Sequence, residues 1–294
     1  IAMGGGSALD AAKAIALMAG QDRPLWDFED VGDNWTRVNV NGMAPVVAVP
    51  TTSGTGSEVG RASVIIHEPS HTKKIIFHAN MLPAKVICDP GLTVGLPAPI
   101  TAAVGMDALS HNLEAFCAPG NHPQADGIAI EGIRLIKLHL PNAFSDPENL
   151  EARSAMMAAS LMGATAFQKG LGAMHSMAHV VGARLNAHHG LINAIVMPYV
   201  LCANQEAIAS RLTDLARYLD LPSPGFESFL TWILVLRKEL AIPHTLTDIG
   251  VKHEHIADFS AAAVLDPSTG SNPLPFGAEA FESLFSCAID GHLT

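Results

Sequence analysis

After Gly95 the hydrophobic pattern changes its period and does not change back. From Pro97 onward apolar residues recur at helical spacing with almost no strand signal. This predicts helices near 97–117, 123–140, 147–168, 171–185 and 189–206, with several more beyond. Before Gly95, short apolar runs are punctuated by glycine- and hydroxyl-rich turns. The chain therefore reads as an α/β unit over 1–94 joined to an all-helical unit over 95–294, with the boundary between Leu92 and Pro97.

The first unit opens with Ile1-Ala2-Met3, which reads as the end of a strand. Gly4-Gly5-Gly6 then makes a tight turn with no side chain to obstruct a ligand. Ser7 is a good N-cap, Asp10 completes a capping-box-like pair, and Ala8 to Ala19 is strong helix former. A strand, a glycine turn and a bare helix N-terminus make an anion site, most naturally for a phosphate. The turn is neither GxGxxG nor a Walker loop, and standing alone it would read as a plain tight turn. It does not stand alone. Pro45 to Val49 reads as a buried strand leading into Thr51-Thr52-Ser53-Gly54-Thr55-Gly56-Ser57-Glu58, a loop rich in N–H and O–H donors for phosphate or ribose. Glu58 is expected to cap a following helix. Two such loops, each after a strand, are better explained by one nucleotide than by two turns. A hairpin is expected from Val64-Ile65-Ile66 and Ile75-Ile76-Phe77 around the turn Glu68-Pro69-Ser70-His71. Lys73 and Lys74 fall in it, as cations facing the phosphates or as solvated residues. Ala84 to Cys88 reads as another short strand.

The helical unit carries the chemistry. His175 and His179 stand at i and i+4 in a small, apolar segment, so they project from one face of a buried helix. Two buried imidazoles on one face suggest a metal or a catalytic relay; the alternative is core histidines bonded to backbone. Asp107 and His111 repeat the spacing, where a simple helix-surface pair is the alternative. Two such helices in one chain make a shared site the better reading. A carboxylate with imidazoles is a borderline to hard donor set, suited to Fe(II), Zn, Co or Ni. His244, His253 and His255 read as surface or capping residues, and Asp266 to Pro273 as a loop before a final helix.

Composition narrows the class of function. Nearly half of the 294 residues are hydrophobic and 15% are charged, which suits a compact enzyme. The net charge of -11 argues against nucleic acid or an anionic membrane as partner. Cys88, Cys117, Cys202 and Cys287 show no CxxC spacing and read as thiols in a reducing compartment. With no signal-peptide pattern at the start and no apolar run near the length of a spanning helix, a cytoplasmic enzyme is expected.

GGGSALDAAKAI at 4–15, PTTSGTGSEV at 50–59, GMDALSHNLEAF at 105–116 and GAMHSMAHVVGARLNAHHGLINAIVMP at 172–198 together resemble the iron-containing (group III) alcohol dehydrogenases. That family lies in the superfamily of glycerol dehydrogenase and dehydroquinate synthase. The resemblance runs to the end of the chain and includes the DPSTGSNP loop. It implies a Rossmann-like dinucleotide-binding domain, a helical metal-binding domain of the dehydroquinate synthase-like type, and a metal in the cleft between them. The family's metal ligands fall on Asp107, His111, His175 and His189, and its proton-transfer histidine on His179. His188 has no family role. Gly5, Gly6, Ser7 and Asp10 match the pyrophosphate turn, Thr51, Thr52 and Thr55 the second loop, and Lys73 a cofactor-contacting lysine. The implied cofactors are Fe2+, alternatively Zn2+ or another divalent metal, and NAD or NADP. The implied activity is reversible oxidation of a small primary alcohol to an aldehyde by a homodimer. The rivals are a glycerol dehydrogenase-like or cyclising enzyme of the same superfamily and a non-catalytic metal-binding remnant. Two departures stand out. Family members usually carry a further segment before the glycine turn, which supplies the first nucleotide-binding unit and the choice of NAD or NADP. Gly60 stands where many relatives have Thr.

Overall fold

The computed structural model describes residues 1–70 and 72–293. All its strands precede Ile87. β1 (Ala2–Gly4), β2 (Val47–Pro50) and β5 (Lys85–Val86) form a parallel sheet in the order β1-β2-β5. β3 (Ala62–His67) and β4 (Thr72–Phe77) form an antiparallel hairpin, as the alternation predicts; His71 of the expected turn lies outside the described residues. The register pairs Gly4 with Pro50. The glycine turn and the threonine loop therefore leave adjacent parallel strands at the same carboxyl edge, where open α/β sheets hold their ligands.

α1 (Gly6–Met18) follows the glycine turn and buries Leu9, Ala14 and Leu17 against the sheet side. Here the structure corrects the expected capping. Gly5 is the N-cap, and no side chain caps the helix. Asp10 does not reach back to the turn, because the hairpin crosses its face. One Asp10 carboxylate oxygen accepts from Ser57 Oγ at 2.5 Å and the other from the Val64 amide at 3.0 Å. Lys13 is 1% exposed, and its ammonium donates to the carbonyls of Ser57 (2.9 Å), Gly60 and Ala62. A buried charge is tolerated only when it is paired and hydrogen-bonded, and this pair staples the threonine loop and the hairpin to α1. Glu58 caps no α-helix. It is buried in a 3-10 turn, Ser57–Val59, and burial pushes its carboxyl up.

From Ala98 the fold is helical. α2 (Ala98–Cys117) is buried along almost its whole circumference, as expected of a helix apolar all round. α3 (Pro123–Ser145), α4 (Leu150–Ala166) and α6 (His189–Ala203) surround it. α5 (Ala173–Leu185) packs on α6 and on β4, which joins the two halves beside the histidines. α7 (Gln205–Tyr218), α8 (Phe226–Glu239), α9 (Ile256–Val264) and α10 (Ala278–Asp290) complete the helical half. No single described helix is long and apolar enough to cross a membrane.

Two helix ends differ from expectation. α3 runs through Pro141 to Ser145 rather than stopping at 140, because Leu140 and Ala143 on either side of the proline are both buried in the core. The single helix expected over 189–206 breaks at Asn204. Asn204 and Asn272 exchange side-chain amide bonds at 2.9 and 3.2 Å, and the chain turns by 108° between α6 and α7.

Candidate metal centre

Three helices converge at the join. Asp107 and His111 lie on α2, His175 and His179 on α5, and His189 opens α6. α6 can approach α2 this closely because of Gly190. A β-carbon there would stand 2.3 Å from the Ala103 carbonyl oxygen and 2.9 Å from Asp107 Cβ. The result is a group of three donors, one each from Asp107, His175 and His189, all within 4.8 Å of one another. His111 borders this group without belonging to it. Its ring stacks on that of His175 with centroids 4.7 Å apart.

Each imidazole is oriented from behind. His175 Nδ1 donates to Glu114 at 2.6 Å, which leaves Nε2 with the lone pair. Glu114 also accepts from the amides of Gly172 (2.9 Å) and Met174 (2.7 Å), so one carboxylate sets the start of α5 and the tautomer of His175 together. His111 Nδ1 donates to the Gly54 carbonyl at 3.2 Å, tying α2 to the threonine loop. His179 Nδ1 donates to Asp266 at 2.9 Å. Asn193, one turn after His189, places Nδ2 2.9 Å from Asp107 Oδ1 and 3.3 Å from Nε2 of both His175 and His189.

Burial disfavours protonation of His111 and His189. Burial, only partly offset by Asp107, brings His111 down to about 4. Desolvation, then Lys73 and the other imidazoles, hold His189 well below the ordinary histidine range. Asp266 is raised by burial, but the bonds from His179 and Ser268 outweigh this and leave it below the usual carboxylate range. Lys73 lies in strand β4 rather than in the hairpin turn and makes no ion pair with a described residue. Burial lowers it, while Asp107, Asp266 and Asp10 act the other way. A carboxylate and two imidazoles converging on one point fit a divalent borderline metal.

The depressed His111 has a measurable consequence in the metal-free protein. The unfolded chain takes up this proton near pH 6.5, whereas the fold resists it down to about pH 4. Stability is therefore full above pH 6.5 and falls as the pH drops toward 4. By pH 5 this site alone costs about 2 kcal/mol. Urea unfolding in chelator at pH 7 and pH 5 measures the difference; equal midpoints would contradict it.

At the carboxyl edge of the parallel sheet, a β-carbon on Gly5 would stand 3.2 Å from Thr52 Cγ2, and one on Gly6 2.5 Å from Thr55 Cγ2. The two loops thus pack against each other as a single surface. Asp10, matched to the pyrophosphate turn by resemblance, has both carboxylate oxygens engaged by protein donors. His188 caps α6 through the Leu191 amide. Three participants escaped the sequence reading: Glu114, Asn193 and Asp266. The first two had a signal. Glu114 continues the face of Asp107 and His111 by one more turn, and Asn193 stands four residues after His189.

The chain has similar proteins of known family. Residues 1–90 match the family model for iron-containing alcohol dehydrogenase, and residues 101–289 match its C-terminal model. The 4-hydroxybutyrate dehydrogenase of Cupriavidus necator is 40% identical over 283 residues, covering 93% of this chain and 73% of that protein. The crystal structure of a 1,3-propanediol oxidoreductase superposes with a TM-score of 0.92 at 34% identity, covering 98% of this chain and 76% of that one. Sulfoacetaldehyde reductase from Bifidobacterium kashiwanohense, in complex with NAD+, superposes with a TM-score of 0.88 at 29% identity, covering 98% and 75%.

Proposed function

Because this chain belongs to the iron-containing alcohol dehydrogenase family, oxidoreductases acting on the CH–OH group, we propose that it interconverts a small primary alcohol and its aldehyde with NAD or NADP. The observation that carries this reading is the convergence of Asp107, His175 and His189 at the join with the α/β unit. These three residues hold a divalent metal, Fe2+ first, with His111 as the fourth donor from its stacked position. The metal supplies Lewis acidity toward the substrate oxygen, and the nicotinamide supplies the two-electron chemistry.

The chain's own groups do the rest. Glu114 and the Gly54 carbonyl lock the tautomers of His175 and His111, so their Nε2 lone pairs need no reorganisation. Gly5, Gly6 and Ser7 offer the uncapped first turn of α1 to the pyrophosphate, and Thr51, Thr52 and Thr55 line the facing loop. Lys73 adds a positive charge on the cofactor side of the cleft. His179, with Nδ1 held by Asp266, exchanges the hydroxyl proton at Nε2, and its partial exposure of 17% gives that proton a path to water. The ring of Phe167, 5.0 Å from that of His111, makes one wall of the site apolar and suits a short aliphatic substrate. The units 1–94 and 95–294 divide the work into cofactor and metal, in a homodimer.

Reconstitution tests the proposal. Chelated protein should regain NADH- or NADPH-dependent aldehyde reduction on adding Fe2+ under reducing conditions. Unchanged activity through complete metal removal would overturn it. Two variants probe the parts separately. Gly6→Ala pushes Thr55 away from the glycine turn, so NADH should bind about tenfold more weakly while metal content holds. NADH fluorescence titration beside metal analysis reads both. Glu114→Gln turns into a donor one of the two oxygens that between them accept from three N–H groups, and metal affinity should fall about tenfold or more. Competition with a chromophoric chelator measures it, and unchanged affinity would remove Glu114 from the site.

A further inference from the structure

We propose that a cavity beneath the threonine loop binds a halide-sized monovalent anion, chloride in ordinary buffers. The cavity measures about 10 Å³, the room that one small guest needs. It is lined by Ser53, Thr101 and Arg153 among apolar walls such as Val104, Leu140 and Met156. Its polar groups are deeply buried: Ser53 is 5% exposed, Thr101 3% and Arg153 3%. Arg153 donates Nε to the Pro147 carbonyl and Nη1 to Thr101 Oγ1, both at 3.0 Å. Its Nη2 meets no acceptor from the protein, and neither does Ser53 Oγ. No carboxylate among the described residues pairs with this guanidinium.

Charge and hydrogen bonding point the same way. A buried cation without a counterion is costly, and each unpaired buried donor adds to that cost. Arg153 stays charged at any physiological pH, so the charge must be balanced from outside the side-chain set. A water molecule could accept from Arg153 Nη2 and donate to Ser53 Oγ, but it would leave the guanidinium charge unbalanced. A monatomic anion only accepts, and it neutralises Arg153 as well. The site joins three segments: Ser53 from the loop after β2, Thr101 from α2 and Arg153 from α4. The anion is therefore a structural ligand that pins the threonine loop to the helical half, and its presence does not depend on the activity proposed above.

The test uses the full, metal-loaded chain. Melting curves are recorded in sodium chloride or bromide against sodium methanesulfonate at constant ionic strength, and crystals are grown in sodium bromide. The melting temperature should rise saturably with either halide and not with methanesulfonate. Bromide should give an anomalous peak between Ser53 Oγ and Arg153 Nη2. Ser53→Ala, which leaves the guanidinium in place, should raise the half-saturating halide concentration about tenfold, the worth of one hydrogen bond to an ion. Arg153→Met should abolish the halide effect; Ser53→Ala keeps the test open if that variant does not fold. A cavity without anomalous signal in bromide overturns the proposal whatever the melting curves show, as does a halide effect that Ser53→Ala leaves unchanged.

Discussion

Replacing His175 by alanine should remove metal and activity together. The imidazole is 1% exposed and stands between Glu114 and the Asp107–His189 pair, and a methyl group in its place offers no donor atom. With His175 gone, Asp107 and His189 are the donors left within mutual reach, and His111, the proposed fourth donor, loses the ring it stacks on. Aldehyde reduction should drop by at least about 10³-fold, the scale of several kcal/mol of lost electrophilic stabilisation. Metal content by elemental analysis should fall in parallel. The glycine turn and the threonine loop proposed to hold the cofactor lie on other elements, so NADH fluorescence should still saturate, which separates loss of the centre from loss of the fold. A variant that keeps full metal and normal turnover would refute the assignment of the centre.

Much of this architecture is legible in the sequence, because faces and punctuation are local properties. The helix expected over 97–117 is observed as Ala98–Cys117, and the one over 171–185 as Ala173–Leu185. Both glycine/hydroxyl loops follow strands, as their composition implies. The i, i+4 pairs put Asp107 with His111 and His175 with His179 on common faces. Periodicity cannot say which face meets which. Glu114 meets the start of α5 across some 60 residues of chain, and Asp266 meets His179 across 87. Those pairings are decided by packing, such as the close approach at Gly190, and not by local pattern. The same limit explains Asp10 and Lys13. On the helix alone Asp10 reads as half of a capping pair and Lys13 carries no signal, and only the hairpin crossing α1 makes them a buried staple. Pro141 shows the converse. A local rule stops the helix there, and burial of Leu140 and Ala143 carries it on.

Asp266→Asn should separate chemistry from metal binding. Asp266 comes from the DPSTGSNP loop, holds His179 Nδ1 at 2.9 Å and accepts from the Ser268 amide at 2.9 Å. It touches none of Asp107, His175 or His189, so metal content should match the unaltered protein. The asparagine keeps the shape and can keep the Ser268 bond. It can, however, present its amide to His179 as a donor, which favours the tautomer with the proton on Nε2 and takes away the lone pair that receives the hydroxyl proton. It also removes the negative charge that stabilises His179 once protonated. Turnover should fall about 10² to 10³-fold with little change in the KM for NADH, the scale of a lost general base. If His179 and Asp266 act as one relay, the double variant His179→Ala, Asp266→Asn should be no slower than His179→Ala alone. Two losses that multiply would mean that Asp266 acts elsewhere, for instance on Lys73, whose charge it also faces across the cleft.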